Sequence, residues 1–333
     1  MASLKDVAKL AQVSLMTVSR AINTPDKLNK DTYKKVKHAI DQLNYVPDVS
    51  ALKIRGDRKV PQLIGVLALD TATTPFSVEL LQAIEKTAQA HQCNTLIVNL
   101  FDDHDAERAI NTLLSYRPTG IIFTSMGFRQ ITIPAKLHNQ SLVLANCVSA
   151  DTSAASYVPD DYQGQYQAMA HVIAQGYKKP LCIYLSLNTL AGKIRRQAVE
   201  QAWRDHDLLL EDLTSYHLNL DLGDEHYLDT ITIINRYFKH RSADFDVIIC
   251  GNDRIALLVY QVLLGLGYKI PQQVAVLGYD NMVGIGELFY PPLTTVQLPH
   301  YQIGEQAALH IINKVKDKQQ YKIDCPLLVR QSI

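Results

Sequence analysis

The apolar and polar positions follow two different patterns, and the change between them falls near residue 60. In the first part, apolar residues recur at helical spacing in three short segments, which predicts three helices joined by short turns. Ser3, Ser14 and Asn29 each stand where the N-cap of one of these helices is expected. The predicted helices are Leu4–Ala11, Leu15–Asn23 and a third whose apolar stripe is Val36, Ile40 and Leu43.

Beyond residue 60, short apolar runs typical of buried strands alternate with amphipathic segments typical of helices. The predicted strands are Leu63–Leu69, Thr95–Leu100, Gly120–Thr124, Leu142–Asn146, Leu181–Leu185, Asp246–Cys250 and Val274–Gly278. The predicted helices include Phe76–His91, Tyr162–Gln175 and Arg254–Leu266. This alternation predicts parallel, doubly wound sheets, and roughly 270 residues are too many for one such sheet. We therefore expect two lobes with a cleft between them.

The net charge of zero conceals an uneven distribution along the chain. Residues 1–60 contain 12 Lys and Arg against 6 Asp, a net charge of +6, and the remainder carries −6. A basic segment joined to an acidic one indicates that only the N-terminal part meets a polyanion such as DNA.

Composition and cysteine usage are those of a soluble globular protein. No apolar stretch is long enough to span a membrane, and the N-terminus lacks the pattern of a signal peptide, so we expect a cytoplasmic protein. The five cysteines are scattered and form no CxxC pair, which favours reduced, buried thiols over a disulfide or zinc framework.

Enzymatic signatures are missing from the sequence. It contains no P-loop, GxSxG, HExxH or GxGxxG motif, and its 11 histidines lack metal-ligand spacing. We therefore expect a protein that is not an enzyme, with no catalytic residues, metal site or cofactor.

The first two predicted helices are separated by a short break, an arrangement typical of a helix-turn-helix. The second helix of such a motif enters the major groove of DNA with its N-terminal residues facing the base edges. Ser14 and Thr17 suit phosphate contacts, and Arg20 can donate two hydrogen bonds to guanine. A generic helical bundle is the alternative.

Two motifs of this segment, Asp6–Asn23 and Leu43–Pro47, resemble the head of the lactose/galactose repressor family. The resemblance extends over nearly the whole chain, to a last strand at Leu327–Arg330. It implies that Leu15, Met16 and Arg20 read bases, and that phosphate contacts or caps come from Ser14, Thr17, Ser19 and Asn23. Because Leu15 and Met16 are apolar, they would contact thymine methyl groups or select bases by shape.

Residues 48–59 resemble the family's hinge, which forms a short helix on DNA. The resemblance implies that two hinge helices of a dimer lie in the minor groove and insert an apolar wedge. Ile54 stands where the family has leucine, and its β-branched side chain is stiffer. A plain basic linker is the alternative for this segment.

In the body, the resemblance to the family's sugar-sensing domain implies five ligand-binding residues around the cleft. Phe76 would offer a ring at the cleft mouth, with a core position as the alternative, and Asn146 would end a strand. Arg195 best matches the family's cleft arginine, with Arg196 as the alternative in a shifted register.

The other two ligand-binding residues lie at turns that follow strands. Asn252 would face the ligand while Asp253 caps the next helix, and Asp280 would bind ligand hydroxyls or serve as a turn residue. The run Tyr290–Val296 would return the chain to the first lobe. Leu298–Pro299 follows it where the family usually has Gln-Pro.

Together these features predict an all-α helix-turn-helix head and an α/β body like periplasmic binding proteins, built of two doubly wound parallel-sheet lobes. The expected boundaries are residues 1–47 for the head, 48–60 for the hinge and 61–333 for the body. Within the body, the first lobe would comprise about 61–160 and 292–325, and the second about 161–291.

The resemblance implies a homodimeric transcriptional repressor of carbohydrate-utilisation genes that binds a palindromic operator. A small sugar or sugar phosphate in the cleft would control it. Two alternatives remain open: control by a phosphorylated carrier protein acting as corepressor, and a sugar-binding transport protein.

Overall fold

A computed structural model describes residues 2–46, 61–71, 76–101, 106–151, 154–220, 223–240 and 245–333. Tertiary contacts divide the chain into two units, Met1–Pro61 and Gln62–Ile333. Ile54 lies outside the described residues, as does the side chain of Phe76.

The first unit contains three helices, α1 (Leu4–Ala11), α2 (Leu15–Asn23) and α3 (Lys30–Gln42). Each begins with the predicted cap, since the side chains of Ser3, Ser14 and Asn29 accept backbone N–H groups of the first turn. The core of this unit centres on three valines, one from each helix, which are completely buried: Val7, Val18 and Val36. The three predicted helices are confirmed.

The second unit contains twelve strands within its described residues. Six belong to the first sheet: β1 (Leu63–Leu69), β2 (Asn94–Leu100), β3 (Gly120–Ile131), β4 (Leu142–Ser149), β5 (Ala155–Pro159) and β11 (Gln320–Ile323). The other six form the second sheet: β6 (Pro180–Tyr184), β7 (Thr214–His217), β8 (Val247–Cys250), β9 (Ala275–Asp280), β10 (Thr294–Gln297) and β12 (Leu327–Leu328).

The strand order is β11-β5-β4-β3-β1-β2 in the first sheet and β12-β10-β9-β8-β6-β7 in the second. Every pairing is parallel except that of β10 with β12.

The helices of this unit are α4 (Phe76–Ala90), α5 (Ala106–Ser115), α6 (Asp161–Ala174), α7 (Leu190–Asp205), α8 (Asp229–Phe238), α9 (Asp253–Gly265) and α10 (His300–Ile312). Short 3-10 helices lie at Pro25–Lys27, Ala135–Leu137, Leu210–Asp212 and Asp224–Leu228. Two parallel-sheet lobes are therefore present, as predicted.

The boundary of the first lobe differs from the prediction. The sequence predicts residues 294–297 in the first lobe. They instead form β10 and pair with β9 in the second sheet. Their backbone continues that sheet, and Thr294, Thr295 and Val296 are buried within it. The chain returns to the first lobe only after β10, where α10 packs against α4 and shares a core with β1.

Strand β3 is longer than predicted. It continues past Thr124 to Ile131, with a register shift against β4 between Thr124 and Arg129. The extension carries Phe128 into an apolar cluster with Val158 and Ala191, so the first lobe contacts α7 of the second.

The side chains of both lobes pack as ordinary apolar cores. All five cysteines are free and buried, as the sequence indicated.

Within the described residues, no helix combines the length and the apolar character needed to cross a membrane.

The contact between α4 and α10 requires a glycine. A Cβ atom at Gly304 would lie 2.3 Å from the carbonyl oxygen of Leu80, a backbone atom that cannot rotate away. We expect Gly304→Ala to lower the free energy of unfolding by about 1–3 kcal/mol, because the helices must separate. Urea denaturation measures this loss.

Gly265 provides the matched control, because it also lies in a helix but a Cβ there would meet nothing within 4 Å. Gly265→Ala should leave stability unchanged or raise it, since alanine favours helix. Equal stability of the two variants would contradict the close packing of α10 on α4.

Candidate functional site

The exposed surface of α2 carries apolar side chains at its N-terminus. Leu15 is 43% and Met16 65% exposed, although Val18 and Ala21 on the same helix are buried in the head core. Arg20 is exposed one helical turn after Met16. The first turns of α2 therefore present two apolar side chains and one guanidinium to solvent.

The other predicted DNA contacts of α2 also organise the helix. Ser14 Oγ accepts a hydrogen bond from the backbone N–H of Thr17 at 3.1 Å, and the two hydroxyl oxygens lie 2.9 Å apart. The Asn23 amide donates to Ser19 Oγ at 3.3 Å. These groups cap or brace α2, and Ser14 remains exposed.

Sequence reasoning missed the basic side chains of α3. Four exposed lysines lie on it or begin it: Lys30, Lys34, Lys35 and Lys37. The excess positive charge of residues 1–60 was the signal that could have identified them.

In the second unit, Arg195 is the centre of a buried polar network. Its Nε and Nη2 atoms each lie 3.2 Å from Asp161 Oδ1, and Nη1 donates to the carbonyl oxygen of Gly251 at 2.8 Å. Nη1 also lies 3.4 Å from Asp280 Oδ1, and the guanidinium stacks 3.6 Å above the Tyr279 ring. The structure therefore brings Arg195 and Asp280 together.

Burial and charge act against each other in this network. Burial disfavours the charged guanidinium, but the neighbouring Asp161 and Asp280 raise the pKa of Arg195. Burial raises the pKa of Asp280 well above its ordinary value, against the attraction of Arg195. The alternative arginine, Arg196, instead pairs with Glu200 at 2.6 Å and is 38% exposed.

No sequence motif pointed to Asp161, the first residue of α6. Its side chain is buried, and Oδ1 accepts hydrogen bonds from Arg195 and from the Tyr279 hydroxyl, the latter at 2.7 Å. Its Oδ2 atom has no hydrogen-bond partner among the described residues. A buried carboxylate oxygen without a partner is suited to accept a ligand hydroxyl or a water.

The structure corrects the predicted cap at the start of α9. Asn252, not Asp253, is the N-cap: its Oδ1 accepts the N–H of Ile255 at 3.0 Å, and its Nδ2 donates to the Tyr227 hydroxyl at 2.9 Å. The extended backbone of Asn252 places it just outside the helix, which is the cap position. Asp253 is the first helical residue and is completely buried.

In the first lobe, Asn146 lines a pocket near the carboxyl ends of the strands. Its backbone is left-handed, with φ 59°, and its amide donates to the Ser125 carbonyl oxygen at 3.1 Å. Strand β4 continues past Asn146 rather than ending there. The pocket is lined by Thr71, Leu80, Thr124, Ser125, Met126, Gly127, Asn146 and His300.

Three groups in this pocket were missed by sequence reasoning. The hydroxyls of Thr71 and Thr124 are buried and have no hydrogen-bond partner in the described part of the chain. His300, the first residue of α10, is buried, and burial together with the charge of Arg195 lowers its pKa to about 4. His300 follows the Leu298–Pro299 departure from the family pattern, but nothing local indicated that it would face a pocket.

Two protein-family models match the chain. "Bacterial regulatory proteins, lacI family" matches residues 3–48, and "Periplasmic binding proteins and sugar binding domain of LacI family" matches residues 62–331. The chain is 52% identical over 332 residues to the Escherichia coli protein named sucrose operon repressor, with both chains covered completely.

Solved structures share the fold at lower identity. The lac repressor dimer bound to operator and the anti-inducer ONPF aligns with a TM-score of 0.79 and 20% identity, covering 99% of this chain and 98% of that one. The LacI-family regulator CCPA from Weissella paramesenteroides, with bound sucrose, aligns with a TM-score of 0.67 and 19% identity, covering 82% and 98%. The predicted fold class is confirmed, and the chain belongs to the LacI family of bacterial regulatory proteins.

Proposed function

We propose that this protein is a transcriptional repressor of a sugar-utilisation operon. It acts in the cytoplasm, where its DNA target lies. A neutral sugar that binds in the cleft between its lobes releases it from DNA. The observation that carries the proposal is the 52% identity, over the full length, to a sucrose operon repressor. The match of residues 3–48 to a DNA-binding family disfavours a transport role.

The head supplies the proposed DNA contacts. Leu15 and Met16 would contact base edges through their exposed apolar side chains, and Arg20 would donate to guanine. Phosphate contacts would come from Ser14, Thr17, Ser19 and Asn23 near the same helix. Ile54 would act as the minor-groove wedge of the hinge.

A second copy of the chain is the proposed partner. Leu257 and Leu264 are exposed on α9, and Leu288 and Tyr290 are exposed on the segment whose Phe289 packs against Tyr260 of the same helix. Large apolar residues exposed on adjoining segments are typical of a subunit interface. A two-fold dimer would match a palindromic operator.

The electrostatics of the cleft favour a neutral ligand over a sugar phosphate. Every nitrogen of the Arg195 guanidinium already contacts a protein oxygen. Asp161 and Asp280 both lie against this guanidinium, and the low pKa keeps His300 neutral. A phosphate would add negative charge beside two carboxylates and a guanidinium that is already paired, whereas sugar hydroxyls can donate to the carboxylates.

Arg20→Ala tests the DNA-reading role. Losing a bidentate guanine contact should cost about 1–3 kcal/mol of operator affinity and relax the preference at one position in each half-site. Sites selected from random duplexes and fluorescence anisotropy at fixed salt measure both effects. Lys34→Ala is the control, because a phosphate contact should weaken all sequences alike. Uniform weakening by Arg20→Ala would make Arg20 a phosphate contact only.

Calorimetric titration with sucrose and with sucrose 6-phosphate tests the effector. Sucrose should bind and weaken operator affinity, and the phosphate should bind at least about tenfold more weakly because it meets two carboxylates and a guanidinium that is already paired. Asp280→Asn should reduce sucrose affinity by about tenfold or more, because a charged acceptor is lost. Preference for the phosphate would contradict the neutral site. If neither sugar binds or releases DNA, control by a protein corepressor gains support.

His300 should make stability depend on pH. Because its pKa falls from 6.5 in the unfolded chain to about 4, the unfolded state binds the extra proton between these values, and stability falls as pH drops through this window. The loss at pH 5 is on the order of 2 kcal/mol. Urea denaturation of His300→Gln across pH 4–8 should show less acid loss than the original chain. Parallel curves would contradict a buried neutral imidazole.

A further inference from the structure

The buried carboxylate of Asp253 lies directly beneath the turn that carries Asp280. Its Oδ2 atom accepts the backbone N–H of Met282 at 2.8 Å, and its Oδ1 atom accepts the hydroxyl of Thr295 at 2.8 Å. The same Thr295 oxygen accepts the N–H of Asn281 at 3.4 Å. Two successive N–H groups of the turn are therefore held, directly or through Thr295, by one carboxylate.

The turn needs such support because its backbone is strained. Asp280 has φ 114° and Asn281 has φ 50°, values in the left-handed region that residues with a Cβ atom disfavour. In addition, Arg330 donates from Nη2 to Asn281 Oδ1 at 2.9 Å and from Nη1 to the Leu293 carbonyl oxygen at 2.7 Å. A conformation of this kind persists only where neighbouring groups hold it.

A glycine in β9 makes room for the carboxylate. A Cβ atom at Gly278 would lie 2.3 Å from Asp253 Oδ1, so only a bare backbone lets Asp253 approach the strand this closely. This contact does not involve the hydrogen bonds to the turn. It indicates that β9 leaves space for the Asp253 carboxylate where the strand meets the start of α9.

We propose that Asp253 is a positioning residue for the effector site, holding the Asp280–Met282 turn so that the Asp280 carboxylate faces Arg195. The inference rests on the proposed function, because it takes Arg195 and Asp280 as the groups that meet the sugar. Asp253 itself lies under the turn and acts through Asp280. Without it, the turn relaxes towards ordinary backbone angles, and the 3.4 Å approach of Asp280 to Arg195 is lost.

A matched control lies at the other end of the neighbouring strand. The Asp246 carboxylate also accepts two backbone N–H groups, those of Lys178 at 2.8 Å and Lys179 at 2.9 Å. It belongs to the same lobe and precedes β8, whereas Asp253 follows β8. Removing Asp246 therefore removes the same kind of interaction without touching the turn.

The experiment compares Asp253→Ala, Asp253→Asn and Asp246→Ala in the full chain, with sucrose as the probe. Calorimetry measures sucrose affinity, and hydrogen–deuterium exchange without sugar measures protection of residues 279–283. Melting temperature and sugar-free operator binding check that each variant folds.

We expect Asp253→Ala to lose about tenfold or more in sucrose affinity and to exchange faster in the turn. The Met282 N–H loses its acceptor, and Thr295, which accepts the Asn281 N–H, loses the carboxylate that holds its hydroxyl. Asp253→Asn should stay within about threefold, since its amide oxygen can accept from Met282 and its amide nitrogen can donate to Thr295. Asp246→Ala should lower the melting temperature while keeping both sucrose affinity and turn exchange.

Unchanged sucrose affinity in Asp253→Ala, or an equal loss in Asp246→Ala, would overturn the inference. If Asp253→Ala does not fold, Thr295→Val replaces it, and this variant must also speed exchange in the turn and weaken sucrose binding. If the original chain does not bind sucrose, the proposed effector is wrong. The positioning role is then decided by the exchange data alone: faster turn exchange in Asp253→Ala supports it, and unchanged exchange refutes it.

Discussion

The cleft depends on one constraint, which is that a guanidinium removed from water must be matched by opposite charge and hydrogen bonds. Arg195 meets this requirement with Asp161, Asp280 and the Gly251 carbonyl, and its planar face lies on Tyr279. These partners come from α6, from β9 and from the turn after β8. The interaction therefore joins the carboxyl-end turns of the second sheet, and removing Arg195 would leave buried carboxylates uncompensated.

The two-lobe architecture brings this network beside a second polar pocket. In the first lobe, Asn146 and the buried hydroxyls of Thr71 and Thr124 lie near the carboxyl ends of the strands, where open α/β sheets bind ligands. Phe128, on the extension of β3, packs against Ala191, one helical turn before Arg195 on α7. A ligand that changes the position of Arg195 therefore acts next to a contact between the lobes. A ligand shifts the balance between two lobe arrangements only if it binds one of them more tightly.

The candidate site was predictable where a residue belongs to a recognisable local motif. Arg195 and Asp280 lie in short runs that resemble the family, and the structure brings their side chains together. Asp161 and His300 were missed because each begins a helix at a point where the chain enters or leaves a lobe, and their neighbours in sequence carry no signal. The cap of α9 was predicted at Asp253 and lies at Asn252, because adjacent polar residues at a helix start differ by one position and only backbone geometry decides which is the cap.

The sequence by itself determined the three head helices and their caps, the seven predicted strands of the body and the division into a basic head and an α/β body, but not the short strands β5, β7, β10 and β11. These properties depend on the spacing of apolar residues and on short-range hydrogen bonds, which can be read from neighbouring positions. Only the tertiary structure decided that β10 joins the second sheet, and which carboxylates meet Arg195. Its partners Asp161 and Asp280 lie 34 and 85 positions away along the chain, and contacts over such distances are set by packing, which a local pattern does not encode.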